Sequence, residues 1–274
     1  MAFSTADLAD LVDILRRAAK DEIMPRFARL DPADVKVKSH ASDFVTVADE
    51  AAERAIEAAA RARFGDFLFV GEEAMERDPR LCDGLATAPR ALVVDPIDGT
   101  FNFANGIPAF AVIAAIVEHG VTVAGAIYDP VRDDTVAALA GGGAHLLRAD
   151  GVGTPLRVAA ARPLAEMHGS ISWAYAPEPL RSRLLAGMAG VWGAYNYRCG
   201  GQEFRLLAAG GAHFGYHHKL SPWDHAAGEL IHREAGGHAA HVDGSPYAAD
   251  DRDGGLLLAP DAASWAELRA CLFD

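Results

Sequence analysis

Three short runs of this 274-residue chain place acids where they could serve a metal ion. "FVGEEA" sets Glu72 and Glu73 directly after an apolar run, "VVDPIDGT" sets Asp95 and Asp98 after another, and "SPWDHAAG" sets Asp224 in the first turn of a helical pattern. In each run a rigid element ends in a carboxylate, so segments far apart in sequence can converge. Close carboxylates repel, and a hard divalent cation relieves that repulsion. Mg²⁺ takes one or two carboxylates per ion, keeps waters, and completes its shell with substrate phosphate. Two such ions about 3.5–4 Å apart clamp the attacking and leaving oxygens of a displacement at phosphorus. On this reading Asp95 bridges two ions and Asp98 binds one. Pro96 forces a turn that aims the Ile97 carbonyl inward as a further oxygen ligand. Gly99 and Thr100 present backbone N–H groups to phosphate at a helix start. The Thr100 hydroxyl holds the attacking water against Glu72. Taken singly, each run also has a plainer reading: Asp, Pro and Gly make turns, paired glutamates decorate solvated surface, and an Asp beside a helix start is a cap. The weight lies in all three occurring together.

The elements that must position these acids follow from apolar spacing. Leu8, Leu11, Val12, Leu15 and Ala19 recur at helical spacing, with Ser4 or Thr5 as the cap, and this helix ends near Pro25. "ADEAAERAIEAAARARFG" predicts a helix over 48–65, with Ala52, Ile56, Ala59 and Ala60 on one face and Gly65 at its C-terminal end. Short buried strands are predicted at 67–70, stopping at Gly71, and at 91–94, stopping at Asp95. From 109 to 147 strands alternate with tight turns, as in an antiparallel meander. "GGGAH" (141–145) lacks the Lys-Ser/Thr of a phosphate-binding P-loop and reads as a hairpin turn. Further on come a strand at 169–173, helices at 179–189, 203–210 and 224–237, a strand at 256–260 and a last helix. The mix predicts layered helices and largely antiparallel sheets in two fused halves, 1–150 with most of the candidate ligands and 151–274 with the last one.

Composition narrows the partners. The net charge is −13, so phosphate-rich nucleic acid and anionic membranes are repelled, and an anionic substrate needs local cations. Cys82, Cys199 and Cys271 are odd in number and widely spaced, so they are read as unpaired thiols of a reducing cytosol. The N-terminus has neither the basic start nor the uninterrupted apolar core of a signal peptide, and no run is long enough to span a membrane; the expected location is the cytoplasm. His213, His217, His218 and His225 cluster in sequence, but without the spacing of a zinc site, so a surface or substrate-rim role is expected. Trp173 and Trp192 are expected in the core rather than on a substrate. No Gly-x-Ser-x-Gly occurs.

The runs "KSHASDFVTVAD", "GEE", "DPIDGT" and "WDHAAG", in this order and spacing, make the chain resemble the inositol monophosphatase family of Mg²⁺-dependent, lithium-sensitive phosphatases along nearly its whole length. The resemblance implies an αβαβα layered sandwich, class α+β, and a homodimer. It implies that Glu72, Asp95 and the Ile97 carbonyl hold a first metal, that Asp95, Asp98 and Asp224 hold a second, and that Glu72 helps hold a third, weaker ion. Glu72 and Thr100 would activate the nucleophilic water, and the Gly99 and Thr100 amides would bind phosphate. Lys38 and Asp49 fall at mobile-loop positions, where Asp49 supports Thr100 and Lys38 tunes metal binding; Glu73 backs the ligands. Asp98, Asp224 and His217 would meet the substrate. One position departs from the family: seven residues before Asp224, where inositol phosphatases carry a glutamate for ring hydroxyls, this chain has His217. Lys219 and Pro222 differ as well. The implied activity is hydrolysis of a small phosphorylated alcohol such as inositol monophosphate. Histidinol phosphate, fructose 1,6-bisphosphate, 3′-phosphoadenosine phosphates, or a non-catalytic role on the same scaffold are the alternatives.

Overall fold

The protein was analysed as a computed structural model that describes residues 2–37, 44–149 and 153–274. In chain order it builds α1 (Thr5–Ala18), β1 (Val35–Val37), β2 (Phe44–Thr46), α2 (Val47–Phe64), β3 (Leu68–Gly71), α3 (Glu72–Arg77), β4 (Ala91–Asp98), α4 (Thr100–Ala104), β5 (Ala111–Glu118), β6 (Val121–Asp129), β7 (Asp134–Leu139), β8 (Ala144–Arg148) and β9 (Gly153–Pro155). There follow β10 (His168–Ile171), α5 (Leu180–Gly187), β11 (Gly193–Tyr195), α6 (Gly200–Ala208), β12 (Phe214–His217), α7 (Pro222–Glu234), β13 (His238–His241), β14 (Leu256–Ala259) and α8 (Ala262–Phe273).

Two sheets separate three helical layers. The seven-stranded sheet runs β3-β4-β5-β6-β7-β8-β9 and the five-stranded sheet β11-β10-β12-β14-β13, while β1 and β2 pair alone. On the outer face of the first sheet, α1 and α2 bury Leu11, Leu15, Ala52 and Ile56 against Leu92, Val94 and Val112. Between the sheets lie α6 and α7, whose Phe204, Leu207, Leu230 and Ile231 pack with Val93, Ile113 and Leu258. α5 and α8 cover the far face of the second sheet around Leu184, Leu257, Leu268 and Phe273. This is the αβαβα sandwich. β9, just past residue 150, still pairs in the first sheet, and α7 packs against strands of both.

Local chemistry explains most boundaries. Ser4 caps α1 in a box with Asp7, and Gly65 ends α2 at φ +78°, a conformation that favours glycine. After Ala18 the first helix continues as a π-turn over Ala19–Ile23, which apolar spacing did not predict. The 141–143 turn is a hairpin between β7 and β8, its Gly141 and Gly143 amides donating to the Glu234 carboxylate. α6 starts at Gly200, earlier than its apolar run predicts. Trp173 is half-buried beside the third core cluster, but Trp192 is 73% exposed against His168, so the core expectation fails for it. The three cysteines are free thiols. Among the described residues no helix is long and apolar enough to cross a membrane.

Candidate active site: an acid-lined cavity between the two sheets

The central difference from the sequence reading is at Asp95. β4 does not stop there; it runs through Asp98, buried along its whole length. Pro96 and Ile97 form a bulge rather than a turn, visible as a register shift against β5 between Asp95 and Asp98. Proline has no N–H to give a ladder, so a bulge is where a central strand tolerates it. The bulge turns the Ile97 N–H back onto Asp95 Oδ1 (2.9 Å) and brings Asp95 and Asp98 toward the same cavity.

Gly99 follows at φ +87°, and a Cβ there would stand 2.9 Å from the Ala109 carbonyl and 3.0 Å from Cys199 Cβ. Only glycine fits, and it starts α4 at Thr100. Thr100 Oγ1 lies 2.9 Å from the Ile97 carbonyl and 3.2 Å from Asp49 Oδ1, two acceptors for one proton. The α2 cap sets that geometry. Asp49 Oδ2 accepts from the Thr46 amide (2.8 Å) and hydroxyl (2.6 Å), which leaves Oδ1 facing Thr100.

Glu72 opens α3 directly after β3. Its helix is held by Glu53, a buried residue that the sequence reading passed over. Glu53 Oε2 accepts from the Glu73 amide (2.8 Å), and Oε1 pairs with Arg77 (3.1 Å). A Cβ at Gly71 would sit 2.2 Å from Glu53 Oε2. Gly71→Ala is therefore expected to push Glu53 off the helix start. It should cost about 2 kcal/mol in urea unfolding, with a fall in kcat as Glu72 shifts.

Asp224 sits in the first turn of α7, which starts after Ser221 with Pro222 in its first turn. One carboxylate oxygen from each of Asp95, Asp98 and Asp224 falls in a cluster no wider than 4.8 Å. Glu72, Ile97, Gly99, Thr100 and His217 line the same cavity, of about 680 Å³. Burial, then the charges of Glu72 and Asp224, push Asp95 well above the ordinary carboxylate range. Burial and Asp224 push Asp98 to about 7, although the Gly201 amide and the Cys199 thiol (3.1 Å) donate to it. Burial and Asp98 together raise Cys199, which therefore stays a thiol and a donor. Burial also lifts Glu203, on the cavity wall and accepting from the Tyr197 amide, to about 7. Cys199 and Glu203, like Glu53, carry no motif; the two glycines before Gln202 were the one available hint.

The histidines do not behave as a cationic rim. His217 is buried at the end of β12, its ring stacked on Phe204 at 4.9 Å and edge-on to His225. Burial lowers its basicity far below the usual imidazole range, so it is neutral at pH 7. Its Nε2 has no hydrogen-bond partner among the described residues. His213 meets His168, and His218 meets Tyr216, so the four rings do not converge on a metal. Lys38 lies outside the described residues.

The donor set fits hard divalent cations. All candidate ligands are oxygens, the crowding disfavours ionisation of Asp95 and Asp98, and among the described residues no cationic side chain pairs with Asp95, Asp98 or Asp224.

The model of the inositol monophosphatase family matches residues 7–273. The chain belongs to that family. It is thereby an enzyme of the phosphoric monoester hydrolase class, and the family implies a metal cofactor. The chain is 32% identical to an inositol-1-monophosphatase of Caulobacter vibrioides over 86% of its own length and 90% of the relative's. It is 33% identical to the Nus factor SuhB of Pseudomonas aeruginosa over 84% and 83%. It spans 66% of a chloroplast phosphatase, IMPL1, of Arabidopsis thaliana at 29% identity. Among solved structures, an IMPase of Thermotoga maritima superposes with TM-score 0.83 at 25% identity, covering 98% of this chain and 97% of the other. The suhB protein of Bartonella henselae gives 0.82 at 28%, covering 98% and 99%.

Proposed function

We propose that the chain is a Mg²⁺-dependent phosphomonoesterase that hydrolyses a small phosphorylated alcohol such as an inositol monophosphate. The observation that supports it is the convergence of Glu72, Asp95, Asp98 and Asp224, from three separate parts of the chain, on one cavity that also holds Thr100.

Glu72, Asp95 and the Ile97 carbonyl would hold one ion, Asp95, Asp98 and Asp224 a second, and Glu72 would share a third, weaker one. Bound divalent cations supply positive charge to the phosphoryl oxygens and leaving group and lower the pKa of water. The protein's own groups do the rest. Thr100, with its proton committed to Ile97 or Asp49, turns a lone pair outward to accept from the attacking water, and Glu72 takes up that water's proton. The Gly99 and Thr100 amides face the phosphoryl group. His217 offers one neutral imidazole nitrogen to a substrate hydroxyl, and Asp98 and Asp224 border the same group. Glu73, tied to Glu53, keeps the turn carrying Glu72 in place. Lys38 tunes metal affinity. The count of two or three ions, lithium sensitivity and the homodimer rest on the family resemblance, and a cytoplasmic location on the unpaired cysteines and the sequence pattern.

The test is phosphate release, with saturating Mg²⁺, from inositol monophosphate, histidinol phosphate, fructose 1,6-bisphosphate and a 3′-phosphoadenosine phosphate. Turnover of at least one is expected, and their kcat/KM values assign the alcohol. Silence across the panel with metal bound would favour a non-catalytic role. A retired enzyme would be expected to have lost one of the four acids, and all four are present.

A further inference from the structure

Two buried polar groups beside the cavity, Glu203 and Ser170, have no part in the chemistry above. β10 and β12 pair in parallel, with Ser170 beside Gly215 and Ile171 beside Tyr216. Side chains alternate along a strand, so Ser170 and His217 share one face of the sheet, while Ile171 and Tyr216 enter the third core cluster on the other. α6 covers the first of these faces. A Cβ at Gly215 would meet Leu207 Cδ1 at 2.9 Å and Ser170 Oγ at 3.4 Å, and the His217 ring stacks on Phe204. Glu203, the residue before Phe204, is 3% exposed and lines the cavity together with His217.

The Glu203 carboxylate is fixed at one oxygen only. Its Oε1 accepts from the Tyr197 amide at 2.8 Å, and no other hydrogen bond reaches it among the described residues. Arg205, two residues on, pairs with Asp134 and Asp129 instead. The Ser170 hydroxyl lies beside Glu203 without a hydrogen bond to it: Ser170 Oγ, like His217 Nε2, is buried and has no partner among the described residues. Nearly all buried polar atoms of folded proteins are paired. Two orphans next to a carboxylate with an oxygen to spare suit a ligand that brings its own hydrogen-bonding groups. A hydroxyl donates and accepts, so it can satisfy a carboxylate oxygen and an imidazole together. Asp98 is near enough for its charge to oppose ionisation of Glu203, which places this wall next to the acid cluster.

We propose that Glu203 is a specificity-determining residue: its spare carboxylate oxygen accepts from a hydroxyl on the alcohol part of the substrate, and His217 on the same wall completes that hydroxyl's bonds. The substrate is then a phosphate monoester of an alcohol that carries at least one further hydroxyl. This rests on the phosphatase reading above and deepens it. An alcohol without that hydroxyl leaves the buried groups of this wall unpaired, which is how a site rejects a deoxy analogue.

Two pairs of esters of matched shape, with and without hydroxyls, test it on the Mg²⁺-loaded enzyme at pH 8, where Glu203 is ionised. They are myo-inositol 1-phosphate with cyclohexyl phosphate, and glycerol 2-phosphate with 3-pentyl phosphate. Glu203→Gln keeps the shape and an oxygen for the Tyr197 amide, but turns the spare oxygen into an NH₂ donor. It should lower kcat/KM for the hydroxylated member of at least one pair by about ten- to a hundredfold, mostly through KM, and leave the hydroxyl-free member within about twofold of wild type. Each ester is compared with itself across the two enzymes, so leaving-group reactivity cancels. Equal losses on both members would mean that Glu203 only holds the 196–199 segment, and unchanged values for both hydroxylated esters would remove it from the site; either result overturns the proposal. If the hydroxyl-free esters turn over too slowly to follow, a loss carried by KM supports the proposal and one carried by kcat overturns it. A thermal melt near wild type excludes misfolding. Where the melt collapses, Glu203→Asp takes its place; it keeps the charge, draws the carboxylate back by one methylene, and should show the same selective loss. Wild-type silence on all four esters overturns the proposal. Silence that extends to histidinol phosphate, fructose 1,6-bisphosphate and the 3′-phosphoadenosine phosphate overturns the phosphatase reading as well.

Discussion

Asp95→Asn is expected to lower kcat/KM by about 10³-fold or more while leaving the fold intact. The size follows from position. Asp95 sits at the bulge of β4, buried, and is the carboxylate nearest to serving both proposed ions. An amide keeps the shape and loses the charge, and charge placed on a developing phosphoryl transition state is worth several kcal/mol. The fold should survive because Asp95 is a burden without metal: burial and its acidic neighbours already disfavour its ionised form. Stability of the metal-free variant at pH 7 should equal or exceed that of wild type. Phosphate release and urea unfolding on the same preparation check both halves. Near-normal turnover at saturating Mg²⁺ would remove Asp95 from the metal centre.

The second large effect is a pH-dependent response to metal. Asp98 is raised to about 7 from an unfolded value of about 3.9, and Asp95 moves the same way. Between those values the folded state binds more protons than the unfolded one. The metal-free protein should therefore be most stable with respect to these groups below about pH 4 and lose that stability as pH rises toward and beyond 7. Mg²⁺ competes with those protons. At a hundredfold excess over its Kd it should raise Tm by about 5–10 °C at pH 8, and by much less at pH 5. Asp98→Asn should flatten the difference. A Tm gain that is the same at both pH values, or absent, would mean that the acids are not relieved by a cation.

Much of this was legible because the acids sit in short runs with fixed local chemistry. DPIDGT marks its two acids and the helix start that follows them, and WDHAAG marks the first turn of a helix. The helices at 48–65 and 224–237 were readable from their spacing and caps to within two or three residues. What was not legible depends on tertiary contact. The extension of β4 through Pro96 follows from burial on both faces, which turn propensity cannot register. Glu53 and Cys199 act only because distant segments fold onto them, with no motif to mark them. His217, expected at the surface or the substrate rim, does line the cavity, but as a buried neutral ring packed on Phe204 and His225 from α6 and α7, contacts that its neighbours in sequence do not announce. Trp192, read as core, is exposed because the three-residue strand after it offers no face to bury it.

The central claim is that Glu72, Asp95, Asp98 and Asp224 tolerate one another because divalent cations lie between them. Anomalous diffraction from crystals soaked in Mn²⁺ tests it most directly. The account predicts at least two peaks about 3.5–4 Å apart, one touching Glu72 and Asp95, the other Asp95, Asp98 and Asp224. A map with no peak in this cavity at saturating Mn²⁺ would contradict it.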